Sequence, residues 1–283
     1  MCNVRVGSFC LSLVTTTTLT FLTSQQSLYL PYHPSTVHTY TNMAVSYGLP
    51  TLLILVHAFL VHGCWRVLEG PPRPRGHWSA QVWGDLRLLL LAVFTTQALT
   101  GATKMLASRL RPNFIDVCVP SNPWQCATAS LPTFVTNYSC AGNPGLFPEP
   151  AERERMVREA RLSFPSGHTS LACAGMAWAV LYLQWCVPRL PALPRALLQA
   201  LLALYAAFVS VSRVTDHKHH PTDVLAGAIL GLTLATASLT WATTGGTRVV
   251  GGGAHQRVTS GEEKVGGEEE RVKSCGGVEL RQP

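Results

Sequence analysis

Three groups of ionisable residues border apolar stretches of this chain, and their types are those that handle a phosphate group. The first is Lys104, followed by Arg109, Arg111 and Pro112. Lys104 and Arg111 lie two helical turns apart, so they share a face if the helix continues to the proline. Arg109 falls off that face and reads as an interface charge. The second group is Phe164-Pro165-Ser166-Gly167-His168, whose small residues leave backbone N–H groups open at a helix start, a ready site for an anion. In the third, Ser212-Arg213 leads through Asp216, His217, Lys218, His219 and His220 to Asp223, and Pro221 suits a first helical turn. His219 and Asp223 are spaced i, i+4, so the carboxylate can reach the imidazole.

Brought together, these residues suit a phosphate monoester. Arginine forks and a lysine charge stabilise a dianion as its charge spreads in the transition state, and backbone donors add to them. A histidine with a fixed tautomer can attack phosphorus, which assigns His219 with Asp223 behind it. A second histidine, His168, can protonate the leaving oxygen. Blander readings exist for each part. Lys104 and Arg111 taken singly read as snorkelling interface anchors, and Gly167 as a packing glycine. The His217 to His220 cluster suggests a metal site, yet the neighbouring cations would repel a divalent ion. Ser166 beside His168 is adjacency, not triad geometry. His33, His38, His57 and His62 have no evident partner and read as structural.

The elements that must position these groups are membrane helices. Only 13% of the 283 residues are charged while 47% are hydrophobic, against roughly 25% charged for a soluble domain. No Asp, Glu, Lys or Arg occurs between Arg5 and Arg66. This excludes a soluble fold, and also intrinsic disorder, which needs the opposite composition. The reading is an all-α polytopic membrane bundle of about six transmembrane helices: five clear spans at 44–63, 86–104, 169–187, 196–213 and 223–243, and a weaker sixth at 6–24, for which a cleaved signal peptide is the rival. Residues 1–243 form one membrane domain. Residues 244–283 hold ten of the 23 glycines with acids and bases interspersed, the composition of a disordered cytoplasmic tail.

The short loops at 64–85 and 188–195 carry arginines and so belong in the cytoplasm. The long loop 105–168, and with it the three ionisable groups, then lies outside. Asn137-Tyr138-Ser139 is a glycosylation sequon in that loop, and Cys118, Cys126 and Cys140 fall there, where disulfides can form. Which two of the three pair stays open. The net charge of +7 fits loop charge and an anionic substrate; no nucleic-acid signature appears.

Lys104-x6-Arg111-Pro112, Pro165-Ser166-Gly167-His168 and Ser212-Arg213-x5-His219-x3-Asp223 resemble, in order and spacing, the signature of the type 2 phosphatidic acid phosphatase superfamily. Within it the chain looks most like the six-span phospholipid (lipid phosphate) phosphatases, over residues 27–243. The resemblance implies that Lys104, Arg111 and Arg213 bind phosphoryl oxygens with help from Ser166 and Gly167. It implies further that His219 forms a phosphohistidine supported by Asp223, and that His168 acts first as acid and then as base for water. No metal or other cofactor is implied. The substrates would be lipid phosphate monoesters such as phosphatidate, lysophosphatidate, sphingosine 1-phosphate or ceramide 1-phosphate. The partners would be that lipid and the bilayer, with a homo-oligomer left open, in the plasma membrane or alternatively the endoplasmic reticulum or Golgi. Ser108 stands where relatives commonly have glycine, and Pro221 where many have an aromatic. Two other functions compete: a catalytically weak, phosphatase-related binding or signalling protein, and a phosphatase for a soluble substrate as in the glucose-6-phosphatase branch. The intact set of cations and histidines disfavours the former, the six-span count the latter.

Overall fold

The computed structural model describes residues 21–22, 26–60, 77–120, 134–135, 138–187 and 190–244. Among them run the helices α1 (Thr39–Phe59), α2 (His77–Ala107), α3 (Phe114–Cys118), α4 (Pro150–Glu159), α5 (Gly167–Trp185), α6 (Ala192–Thr215) and α7 (Pro221–Thr244). A single 3-10 turn at Gln26–Leu28 and a two-residue antiparallel ladder, β1 (Phe21–Leu22) on β2 (Phe134–Val135), complete the set. The architecture is the expected all-α bundle.

Among the described residues, four helices are long and apolar enough to cross a membrane: Thr39–Phe59, Ser79–Ala107, Ala192–Thr215 and Pro221–Trp241. They match four of the five clear spans, the second beginning earlier than the sequence suggested; at the remaining one, 169–187, α5 is helical but falls short of the others in apolarity. The sixth, 6–24, falls outside the described residues except for Phe21 and Leu22, which pair as a strand instead of ending a helix. Residues 245–283, Cys126 and Asn137 also lie outside them.

Helix α5 is the axis of the bundle, and α1, α2, α6 and α7 all pack on it. Its composition explains both its place and its lower apolarity. Thr169, Ser170, Ala172, Ala174, Gly175 and Ala179 are buried against neighbours, and a helix sheathed by protein need not present apolar surface to lipid. In a bilayer no hydrophobic force drives helices together, so close backbone approach through small residues does that work. At Gly175 a side chain would run into the backbone of Ser46 on α1; at Gly227 and Gly231 on α7 it would strike the backbone at Ser166 and Ser170. By contrast, α6 turns Leu197, Leu201, Leu204, Phe208 and Val211 outward, the face a lipid-exposed helix presents. Toward the end of α5 near Trp185, Asp85 is buried and accepts a bond from the Tyr182 hydroxyl at 3.2 Å, whose oxygen lies 2.8 Å from His57 Nδ1. His57 is thus a structural histidine, with a partner the sequence did not reveal.

Much of the long loop is a folded layer. Leu28, Leu110, Phe114, Val117, Phe147, Met156 and Ala160 make a second small core, stapled by a disulfide between Cys118 and Cys140. That resolves the open pairing in favour of these two. Closing a loop of 22 residues is worth about 3 kcal/mol. A Cys118→Ser, Cys140→Ser double variant should therefore unfold at a lower temperature than the parent, and reductant should lower the parent's melting point toward the variant's.

The layer holds residues 109–112 in place. The Arg111 N–H donates to the Ala160 carbonyl at 2.8 Å, Ser163 N–H to Arg109 at 2.8 Å, and Leu30 N–H to Pro112 at 3.1 Å. Here the structure corrects one expectation. Helix α2 stops at Ala107 and does not continue to Pro112, because Ser108 turns the chain at φ +41°. Lys104 and Arg111 therefore do not share a helical face. A left-handed residue just past a helix end is the ordinary place for glycine, yet here Ser108 holds it.

Candidate active site

The three polar groups meet at one end of the bundle, where α2 ends, α5 begins, and α6 turns into α7. Lys104 comes from the last turn of α2. A side chain on Gly167 would sit 3.4 Å from its Nζ, so the lysine lies over the start of α5 and the glycine makes room for it. Ser166 is the N-cap of α5: its buried hydroxyl accepts from the Thr169 hydroxyl at 3.1 Å and its N–H donates to the Asp223 carbonyl at 3.0 Å. The first N–H groups of a helix have no partner within it, and at α5 the Thr169 N–H is capped by the Ser166 hydroxyl at 3.5 Å.

Arg111 arrives from the folded layer. Its guanidinium is mostly covered, with Glu159 at 3.8 Å, and its Nε is buried without a hydrogen-bond partner. Burial works against the charge on this guanidinium, so an incoming anion gains on both counts. Arg213, 1% exposed, closes the other side. It donates to Asp216 at 2.8 Å and to the Ser212 hydroxyl, and Asp216 in turn accepts from the N–H and hydroxyl of Thr36 at 2.8 and 2.6 Å. The extended segment before α1 therefore pins the arginine.

After α6 the chain reverses at His217, φ +55°, and the N–H groups of Lys218 and His219 both return to the Arg213 carbonyl. This places His219 among the cations. Its Nδ1–H donates to the Ser163 main-chain carbonyl at 2.6 Å, leaving Nε2 with its lone pair. Burial first, then the charges of Arg111 and Lys104, hold its pKa well below the ordinary histidine range. The ring is thus neutral at pH 7. His168, on the first turn of α5, feels Arg213, Lys104 and Arg111 as well, after burial, and is likewise held low. Its carbonyl accepts from Asn42 at 3.0 Å and its Nε2 lies 3.4 Å from the Thr39 hydroxyl. The same cations therefore bear on both imidazoles.

Asp223 stands where expected but works differently. Its Oδ2 is 3.9 Å from His219 Nδ1 and is taken by the Ser163 hydroxyl at 2.6 Å and by the His220 N–H and ring at 2.9 and 3.2 Å. Its Oδ1 accepts from Arg109 at 2.5 Å. The i, i+4 spacing brought the pair close, but the main-chain carbonyl of Ser163 won the Nδ1 proton. Arg109 is thus an ion-pair partner and not a bare interface charge. The other histidines diverge, since His217 Nδ1 donates to the Pro31 carbonyl and its ring meets His33 edge-on.

Nothing in the sequence assigns a role to Ser163, Thr39 or Asn42, Arg109 reads there as an interface charge, and Asp216 is named without a task, as is Lys218. Its ammonium sits 3.6 Å from the centroid of Tyr32, and burial, then Arg111, brings it to about 7, with Arg213 acting the same way against Asp216 and Glu159. A lysine lowered this far is charged below about pH 7 and neutral above it. Competitive inhibition by inorganic phosphate should therefore weaken as pH rises through neutrality, and a Lys218→Met variant should lose most of that dependence. His219, in contrast, stays unprotonated to well below its usual range, so a fall in activity near pH 6 belongs to the substrate's own second ionisation near 6, and a His219 limb should appear only at more acid pH.

The PAP2 superfamily profile matches residues 85–246. Phospholipid phosphatase 2 of Homo sapiens is 32% identical over 77% of this chain and 71% of its own, and phospholipid phosphatase 1 of Rattus norvegicus 32% identical over 65% and 61%. A Drosophila melanogaster relative is 30% identical over 75% of this chain, which spans 58% of that protein's length. A Bacillus subtilis transmembrane PAP2 type phosphatidylglycerolphosphate phosphatase aligns over 74% of this chain and 79% of that one, with TM-score 0.39 and 21% identity. With its polar blocks matched in order across more than half its length, the chain belongs to the PAP2 superfamily, within the phospholipid phosphatase family.

Proposed function

We propose that this protein hydrolyses lipid phosphate monoesters, phosphatidate, lysophosphatidate, sphingosine 1-phosphate and ceramide 1-phosphate among them, through a phosphohistidine on His219. Lys104, Arg111, Arg213 and the N-terminus of α5 with Ser166 and Gly167 hold the phosphoryl oxygens. His219 Nε2 attacks phosphorus, the phosphorus–oxygen bond to the lipid breaks, and His168 gives its proton to the leaving oxygen. Water then gives a proton back to His168 and attacks the phosphohistidine, releasing inorganic phosphate and restoring the imidazole. The bound dianion offsets the cations around His168 and so favours the protonated ring that the first step needs.

The observation that carries this reading is the shared field: Lys104 and Arg111, two of the cations that would bind phosphate, bear on both histidines, and Arg213 bears on His168. A membrane-end site suits a substrate whose tail stays in lipid. For the exoplasmic side of the plasma membrane, the support is the sequence pattern that assigns the arginine-bearing short loops to the cytoplasm and the Cys118–Cys140 disulfide, a bond of oxidising compartments. The retention of every catalytic residue type favours the enzyme over a binding protein of the same fold. The test is phosphate release from a panel of these lipids by purified protein in excess chelator, compared between intact cells and opened membranes. Release in chelator and from intact cells supports the reading; hydrolysis of sugar phosphates in preference to lipids contradicts it.

A further inference from the structure

Asp223 is completely buried, and a buried carboxylate persists only where its charge and lone pairs are met. Four bonds meet them. Arg109 donates to Oδ1 at 2.5 Å and, with the same nitrogen, to the Thr222 hydroxyl at 2.7 Å. The Ser163 hydroxyl and the N–H and ring of His220 occupy Oδ2. Arg109 and Ser163 are themselves joined, Ser163 N–H to Arg109 carbonyl at 2.8 Å, so the charge partner and the hydroxyl approach the carboxylate as one unit. Ser163 alone faces both ways: its hydroxyl donates to Asp223, and its carbonyl accepts the Nδ1 proton of His219 at 2.6 Å. Nothing else among the described contacts links the carboxylate to the nucleophile at hydrogen-bond distance. Lys104 and Arg111 act on both imidazoles and Arg213 on that of His168; Arg109 pairs with Asp223.

We propose that Arg109 and Ser163 are positioning residues of this reaction, Arg109 anchoring Asp223 and Ser163 transmitting that anchor to His219 through its main-chain carbonyl. The proposal rests on the phosphatase reading above. Neither side chain touches substrate, so their loss should lower kcat and leave KM alone, as removal of an interaction felt only in the transition state does.

The experiment measures kcat and KM for phosphatidate in detergent micelles with wild type, Arg109→Met, Arg109→Lys and Ser163→Ala, each also in an Asp223→Asn background, with His219→Ala as control. Arg109→Met and Ser163→Ala should each lower kcat by roughly 10–100-fold, the scale of lost outer-shell support, with KM within about twofold. Arg109→Lys should recover most of the loss. In the Asp223→Asn background neither change should lower kcat further, because both act through that carboxylate. Unchanged kcat, a raised KM at constant kcat, which would make Arg109 a headgroup contact, or full additional losses on Asp223→Asn would overturn the proposal. Ser163→Ala removes one hydroxyl and carries the test if Arg109→Met fails to fold. His219→Ala as active as wild type would instead strike the phosphatase reading, and the proposal with it.

Discussion

Replacing His219 with alanine should cut phosphate release from lipid phosphates by on the order of 10⁴-fold or more, the scale seen when a covalent nucleophile is removed. His220→Ala should keep most of the activity. The contrast is informative because Asp223 lies nearer to His220, at 3.2 Å, than to His219, at 3.9 Å. A reading from carboxylate distance alone would choose His220. The electrostatic surroundings favour the proposed His219 instead, since Arg111 and Lys104 bear on it, and a nucleophile must sit where the phosphate is held. Initial rates at saturating lipid, with both variants checked for monodisperse elution, test this. Comparable losses in the two variants would move the reaction to His220.

The second large effect is structural. A Cβ on Gly231 would overlap the Ser170 carbonyl and lie 2.9 Å from the Ala174 nitrogen, and on Gly227 it would lie 2.6 Å from the Ser166 carbonyl. These are backbone atoms of α5, which cannot swing aside as a side chain does, so α7 must back away. Overpacking of this kind costs about 1–3 kcal/mol, and Gly231→Leu should cost more than Gly231→Ala. Gly227→Ala should also lower kcat, because Ser166, whose carbonyl the added Cβ would meet, also donates its N–H to the Asp223 carbonyl. Thermal unfolding in detergent and kcat together read it out. Wild-type stability in Gly231→Leu would refute the close approach of α5 and α7.

The residues that carry the site were legible in the sequence because their types are costly in a membrane and their order is constrained. Lys104, Arg213 and His219 at the ends of apolar runs ask for a reason, and the cations do converge on the two imidazoles. The detail was not legible, since it is made by main-chain groups and ordinary polar residues. The carbonyl of Ser163 has no sequence signature, nor do Thr39 and Asn42 at His168. Arg109 was misread for a definite reason: a helical extrapolation through Ser108 put it on the wrong face, while the left-handed turn there redirects the chain and aims it at Asp223. The apolar spans were readable by length and hydropathy, yet the centrality of α5 was not, because burial by protein and burial by lipid leave similar patterns. Its small residues and the Gly227-x3-Gly231 pair on α7 were the available signal.

The most direct test of the account is to capture the intermediate. Excess enzyme is mixed with a lipid phosphate labelled on phosphorus, quenched in alkali within one turnover, and the labelled peptide is mapped. The account predicts label on the imidazole of His219, stable in base, released by acid, and missing from His219→Ala. Label on His220, on Ser166 or on any carboxylate would contradict it.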